Sequence, residues 1–170
     1  MSSIEDLSKE KLLELATNFA KNWLAHDGLW FQAVEKAHGI DHAIELDAVA
    51  WSRFSPIEAR RIKQFLNLPD DGGLEALRTA LDYRLYAVLN KQYSTQEDGR
   101  LQFYMRDCRV QSARKRRGLP DFPCKSVGVV EYTTFATEID PRIKTRCLVC
   151  PPDAHPEDHY CGWEFWIERT

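Results

Sequence analysis

Five of the 170 residues are cysteines, and all five fall between Cys108 and Cys161. Cys147-Leu148-Val149-Cys150 has the C-x-x-C spacing with which two thiolates grip one soft ion. Cys161, Cys124 and Cys108 supply further ligands, so that three or four of the five form the site. His155 and His159, in the loop between Cys150 and Cys161, are alternatives. A tetrahedral thiolate set suits zinc, and four cysteines equally hold an iron–sulfur cluster. The odd number argues against a disulfide framework. The competing reading is packing, since a free cysteine buries as readily as a small hydrophobe. It bears most on Cys161, which continues the face of Trp163 and Phe165.

Cys124 has a second reading, as a catalytic nucleophile. It follows Pro123 at a predicted helix start, where exposed N–H groups stabilise a thiolate. His155 or His159 would be the base. The run Arg114-Lys115-Arg116-Arg117 adds positive potential. Arg106, Arg109 and Arg114 flank Cys108, and the guanidinium fork of Arg109 or Arg114 suits the carboxylate of a small anionic ligand. His26 and Trp30, in the aromatic stretch from Trp23 to Phe31, are candidates for a ligand pocket; core packing is the plainer role for these tryptophans.

The elements that must position these residues divide at about residue 90. In the first part, Leu12, Leu15, Phe19 and Trp23 recur at helical spacing behind an N-cap at Ser8, with Leu7 and Leu12 as a staple. Asp27-Gly28 predicts a break, followed by a short helix to His38 and Gly39. Asp41 caps a third helix carrying Trp51 and Phe54. Ser55-Pro56-Ile57-Glu58 reads as a fresh helix start, and Leu68-Pro69 as its end. A fifth helix carries Leu74, Leu77, Leu81, Leu85 and Val88.

In the second part, Asp98-Gly99 marks a hairpin turn. Leu101, Phe103 and Met105 alternate as in a half-buried strand. A short basic helix covers about 110–117, and a longer one covers 125–138. Ile143, Thr145, Cys147 and Val149 alternate again, and the last strand puts Cys161, Trp163, Phe165 and Ile167 on one face. The pattern predicts one α+β domain over 1–170. A helical subregion, 1–90, packs on a roughly four-stranded antiparallel sheet with one or two inserted helices, which forms the cysteine-bearing subregion 91–170.

That topology predicts where the thiols meet. In an antiparallel hairpin the end of one strand lies beside the start of the next. Cys147 and Cys150 at the end of the third strand therefore lie near Cys161 at the start of the fourth. If the second strand pairs with the fourth, Cys108 reaches the same edge, and Cys124 begins the helix that leaves it.

Composition narrows the function classes. Hydrophobic residues make up 44% and charged residues 29%, ordinary globular values. The net charge of −3 is too balanced for a chain-wide nucleic-acid or membrane binder. A four-residue basic run without aromatic interleaving does not change that. No apolar run is long enough to span a bilayer. The start Met1-Ser2-Ser3-Ile4-Glu5-Asp6 lacks a secretory signal, so the expected location is cytoplasmic.

Several stretches carry a resemblance. Asn22 to Phe31, Asp107 to Arg114, Gly118 to Ser126, Ile139 to Lys144, Cys147 to Cys150 and Cys161 to Phe165 resemble a family of small cytosolic proteins of unknown function from anaerobic bacteria and archaea. More distantly, the carboxy-terminal half is similar to the aminothiazoline carboxylate hydrolase family, whose members open a thiazoline ring on the way to cysteine. The shared pattern is a strand ending in Cys108, Cys124 at the next helix, and a closing strand from Cys161 to Phe165. The first expectation is therefore a protein whose cysteine-rich site binds zinc or an iron–sulfur cluster, a small anionic molecule, or both. The second, which the hydrolase resemblance implies, is a thiol- or metal-dependent hydrolase of a small carboxylate-bearing molecule. Whether the chain is an enzyme is left open between them.

Overall fold

The computed structural model describes residues 3–168. Met1 and Ser2, the first residues of the stretch read as lacking a secretory signal, lie outside the described residues. Among the described residues, five helices accompany a four-stranded antiparallel sheet, so the α+β expectation holds. In chain order they are α1 (Lys9–His38), α2 (Ile40–Leu66), α3 (Gly73–Leu81), β1 (Lys91–Glu97), β2 (Arg100–Asp107), α4 (Arg109–Arg116), α5 (Lys125–Ile139), β3 (Ile143–Val149) and β4 (Cys161–Ile167). The sheet order is β1-β2-β4-β3. Asp98 and Gly99 both have positive φ, 51° and 74°, as a tight turn between β1 and β2 requires.

Two helix breaks expected from the sequence are absent. Asp27-Gly28 lies inside α1, which runs unbroken for 30 residues from its Ser8 cap. An interior glycine costs a helix only about 1 kcal/mol against alanine. Here both halves are held from outside. Trp23 packs on Trp51, Phe54 and Tyr86, and Phe31 meets Phe122 edge to face at 4.9 Å.

Ser55-Pro56 likewise lies inside α2. Ser55 is fully buried and its hydroxyl caps nothing. Glu58 turns to Arg84 instead of closing a capping box. Pro56 removes one helical donor, and tertiary packing keeps the helix going regardless. The fifth predicted helix also ends early, at Leu81; Leu85 and Val88 belong to a 3-10 turn.

The core lies between the sheet and α5. Leu101, Phe103, Trp163 and Phe165 from β2 and β4 meet Phe135 and Ile139 of α5, with Leu77 and Leu81 of α3 beside them. α5 is covered by α2 on its other side, so it buries two faces. One of those faces carries Tyr132, stacked on Trp163 at 4.6 Å. The other carries Glu131, which pairs with Arg84 at 2.7 Å. Arg84 is itself 2% exposed, bonded to Glu58 at 2.9 Å and boxed by the rings of Trp51, Tyr86, Tyr132 and Phe135. A charge buried that completely is tolerated only because it is paired on two sides.

α1 packs chiefly on α2 and buries only Ala20. Among the described residues, no helix is long and apolar enough to cross a membrane.

Candidate functional site

The site begins with strand register. Cys147 of β3 is opposite Trp163 of β4, so it is on the core face. Strict alternation would put Val149 on that face and Cys150 on the other. A bulge intervenes between Cys147 and Val149, and Val149 pairs instead with Gly162. One extra residue re-aims the side chains beyond it. Cys150 therefore returns to the core side and is 1% exposed. The sequence reading, which continued the alternation through Val149, missed this bulge.

The other thiols arrive as the topology predicts. β2 pairs antiparallel with β4, and Met105 is opposite Cys161. The Tyr160 N–H donates to the Met105 carbonyl at 2.9 Å, carrying the pairing to the strand end. Cys108 follows β2 and precedes α4, and Cys124 directly precedes α5. The Lys125 N–H donates to the Pro151 carbonyl at 2.9 Å. Cys124 and Cys150 are the residues immediately before these two, and their sulfurs stand 3.5 Å apart.

Cys150 is the centre of the group. Its thiol is held well above the ordinary range by hydrogen bonding with Cys124, Cys147 and Cys161, with burial adding to the effect. Cys147 moves the other way. The neighbouring Cys150 thiol lowers it against the effect of burial, and the Lys125 ammonium lowers it further. Cys108 is outside that trio, and burial pushes its thiol up to about 12. All five cysteines are free. Among the described residues, no three side chains of histidine, cysteine, aspartate or glutamate are grouped so that they could hold a metal ion.

Beside the thiols opens a cavity of about 740 Å³. Cys108, Cys124, Cys150 and Cys161 line one side of it. α1, α2 and α4 supply other walls. The segment after α4 is pinned by Gln111, which is 1% exposed. Its amide donates to the Phe122 carbonyl at 2.9 Å and accepts from the Phe122 N–H at 2.8 Å. The same amide nitrogen lies 3.5 Å from Cys124 Sγ.

Of the expected ligand residues, Arg109 and Arg114 do line the cavity, together with Arg116 and Arg117. Arg114 is steadied by the Pro120 carbonyl at 2.8 Å and by the Phe122 ring. Arg117 reaches Gln32 of α1 at 2.8 Å. His26 and Trp30 are not among the lining residues. They flank a separate depression on α1, and Trp30 is 68% exposed. The tryptophans that line the cavity are Trp51 and Trp163.

Neither His155 nor His159 lines the cavity. His155 pairs with Asp121 at 3.1 Å and with the Pro156 carbonyl. His159 contacts Asp158 and the ring of Tyr104. The sulfur contacts of Cys124 are Gln111 and Cys150, so the expected Cys124–histidine pair is not formed.

Sequence reasoning also missed the carboxylates of this site. Asp47 and Glu131 line the cavity with Asp27. A signal for them existed. Asp47 lies four residues before Trp51, and Glu131 four before Phe135, so each shares a helix face with a core residue.

The molecule is thus an α+β protein in which a helix start and three strand ends gather thiols beside a ligand-sized cavity. Residues 5–167 match the family described as "Family of unknown function (DUF6125)", and the chain belongs to that family. No curated protein and no solved structure matches the chain.

Proposed function

We propose that Cys124, Cys147, Cys150 and Cys161 bind one soft metal ion, zinc by preference, and that the adjoining cavity receives a small molecule whose anionic group rests on Arg109 and Arg114. The observation that carries this reading is the 3.5 Å separation of the Cys124 and Cys150 sulfurs, with Cys147 and Cys161 on the adjoining ends of β3 and β4. Two sulfurs sharing a tetrahedral zinc, at ~2.3 Å each, stand roughly 3.8 Å apart. In a four-iron cluster each thiolate binds a different iron and the sulfurs spread further, so the spacing favours a single ion. Cys108 is the spare thiol. Four protein ligands leave no open position, so the ion is structural in this reading.

Elemental analysis and the visible spectrum of protein purified without oxygen or chelator test the proposal. Stoichiometric zinc without colour is expected. A brown chromophore would transfer the same thiols to an iron–sulfur cluster, and a metal-free protein that takes up no added zinc would end the metal reading. The hydrolase alternative requires a base for Cys124, and the neighbours of its sulfur are an amide and a thiol.

A further inference from the structure

Cys124 and Cys150 stand at different depths beside the same cavity. Both line it, Cys124 half-buried and Cys150 almost fully buried. Their sulfurs are 3.5 Å apart, and the positions are held from both sides. The Lys125 N–H donates to the Pro151 carbonyl at 2.9 Å, which ties the residue after one cysteine to the residue after the other. Gln111, itself buried, donates to the Cys124 sulfur at 3.5 Å. Closing the gap to the ~2.05 Å of an S–S bond takes a movement of about 1.5 Å. Cys147, the other member of the C-x-x-C, does not line the cavity.

The arginine side of the cavity begins one helical turn from this pair. Gln111 and Arg114 are three residues apart on α4 and so share a face. Arg114 covers the ring of Phe122, whose backbone is bonded to Gln111. A molecule whose anion rests on Arg114 therefore carries its neighbouring atoms toward the Cys124 sulfur.

We propose that Cys124 and Cys150 form a redox-active dithiol that reduces a small organic disulfide bearing carboxylates, Cys124 as the attacking thiol and Cys150 as the resolving one. The Cys124 thiolate attacks one sulfur of the bound disulfide. The substrate S–S bond breaks, a mixed disulfide forms at Cys124, and the first small thiol leaves with the proton of Cys124. The Cys150 thiolate then attacks the Cys124 sulfur and releases the second small thiol, which takes the proton of Cys150. Two electrons pass from the protein to one substrate molecule, and the chain is left with a Cys124–Cys150 bond. Burial suits Cys150 to the second step, because it meets the substrate only through Cys124. The choice of an anionic substrate rests on the reading of Arg109 and Arg114 as an anion seat; the dithiol does not. Zinc and the S–S bond use the same two sulfurs and exclude each other, so the chemistry belongs to the metal-free chain.

Three small disulfides test it in single turnover on the full chain, freed of metal and oxygen: dithiodiglycolate as anion, bis(2-hydroxyethyl) disulfide as neutral molecule and cystamine as cation. Each rate is taken relative to that with free dithiothreitol, and the bridge is mapped by mass spectrometry. One disulfide reduced per chain and a Cys124–Cys150 bridge are expected, with the anion reacting roughly tenfold faster than the cation. Cys150→Ser should stop at a mixed disulfide on Cys124, and Cys124→Ser should release almost no thiol. If the parent chain forms no Cys124–Cys150 bridge, or Cys124→Ser reacts as fast as the parent, the dithiol is overturned while the anion seat stands. A Cys124–Cys150 bridge formed equally fast from anion and cation overturns the proposed substrate and the anion seat together.

Discussion

A β-carbon on Gly128 would lie 2.7 Å from Cζ2 of the Trp163 indole. That contact sets how closely α5 approaches the sheet, and Cys124 begins the same helix one turn earlier. The indole cannot swing aside, because it is fully buried and stacked on Tyr132. Alanine normally favours a helix over glycine by about 1 kcal/mol. Here overpacking wins, and Gly128→Ala should destabilise the chain by about 1–3 kcal/mol. Urea unfolding measures it. A neutral or stabilising outcome would show that α5 shifts freely, and the thiol spacing would lose its structural cause.

The thiols should differ in reactivity in the metal-free chain. Cys147 is half-buried and held below its ordinary range, whereas Cys108 is pushed up to about 12. The thiolate is the reacting form. Iodoacetamide near neutral pH, followed by peptide mapping, should modify Cys147 early and Cys108 last. Comparable rates at the two positions would contradict the electrostatics of the thiol cluster.

Arg84 should reveal the cost of an unbalanced buried charge. Glu58→Gln removes one of its two carboxylates and weakens the acceptor of the Leu85 N–H. Breaking a buried pair costs about 3–5 kcal/mol when nothing replaces the partner. Since Glu131 remains, about 2–3 kcal/mol is expected in denaturant unfolding. A loss below about 0.5 kcal/mol, the range of ordinary surface changes, would mean that Glu131 alone suffices.

Asp47 gives stability a pH slope of unusual sign for a carboxylate. Its folded-state value is about 7, against an ordinary 3.8, so the fold favours the protonated form. Below about pH 4 both folded and unfolded chains hold the proton, and the residue has no effect. Between about 4 and 7 the unfolded chain releases it first, and stability falls as pH rises; above about 7 the penalty is constant. Asp47→Asn should therefore raise the melting temperature at about pH 8, with the gain fading toward about pH 4. A gain that does not vary with pH would remove the titration of Asp47 as its cause.

The strands that carry Cys108, Cys147 and Cys161 are visible in the sequence through the alternation at Leu101–Met105 and Cys161–Phe165. The sequence left the pairing of the second strand with the fourth as a condition, and the structure meets it, with Met105 opposite Cys161. The features hidden in the sequence are those that depend on distant partners. Gly28 and Pro56 signal breaks locally, and packing of α1 and α2 overrides both. The bulge after Cys147 leaves no local mark, because Leu148 and Val149 suit either register. Asp47 and Glu131 share helix faces with Trp51 and Phe135, but the cavity they line forms only where α1, α2 and α5 come together. His26 and Trp30 flank a separate depression on α1, because aromatic density alone does not say which face of the helix meets the larger cavity.

Anaerobic cobalt(II) titration of the metal-free chain and of two single variants is the sharpest test of the four-thiolate site. Cobalt reports tetrahedral thiolate ligation through its visible and charge-transfer absorption. One cobalt per chain with an all-thiolate spectrum is expected, retained in Cys108→Ser and lost or strongly weakened in Cys150→Ser. An unchanged spectrum in Cys150→Ser, or no thiolate spectrum in the parent chain, would contradict it.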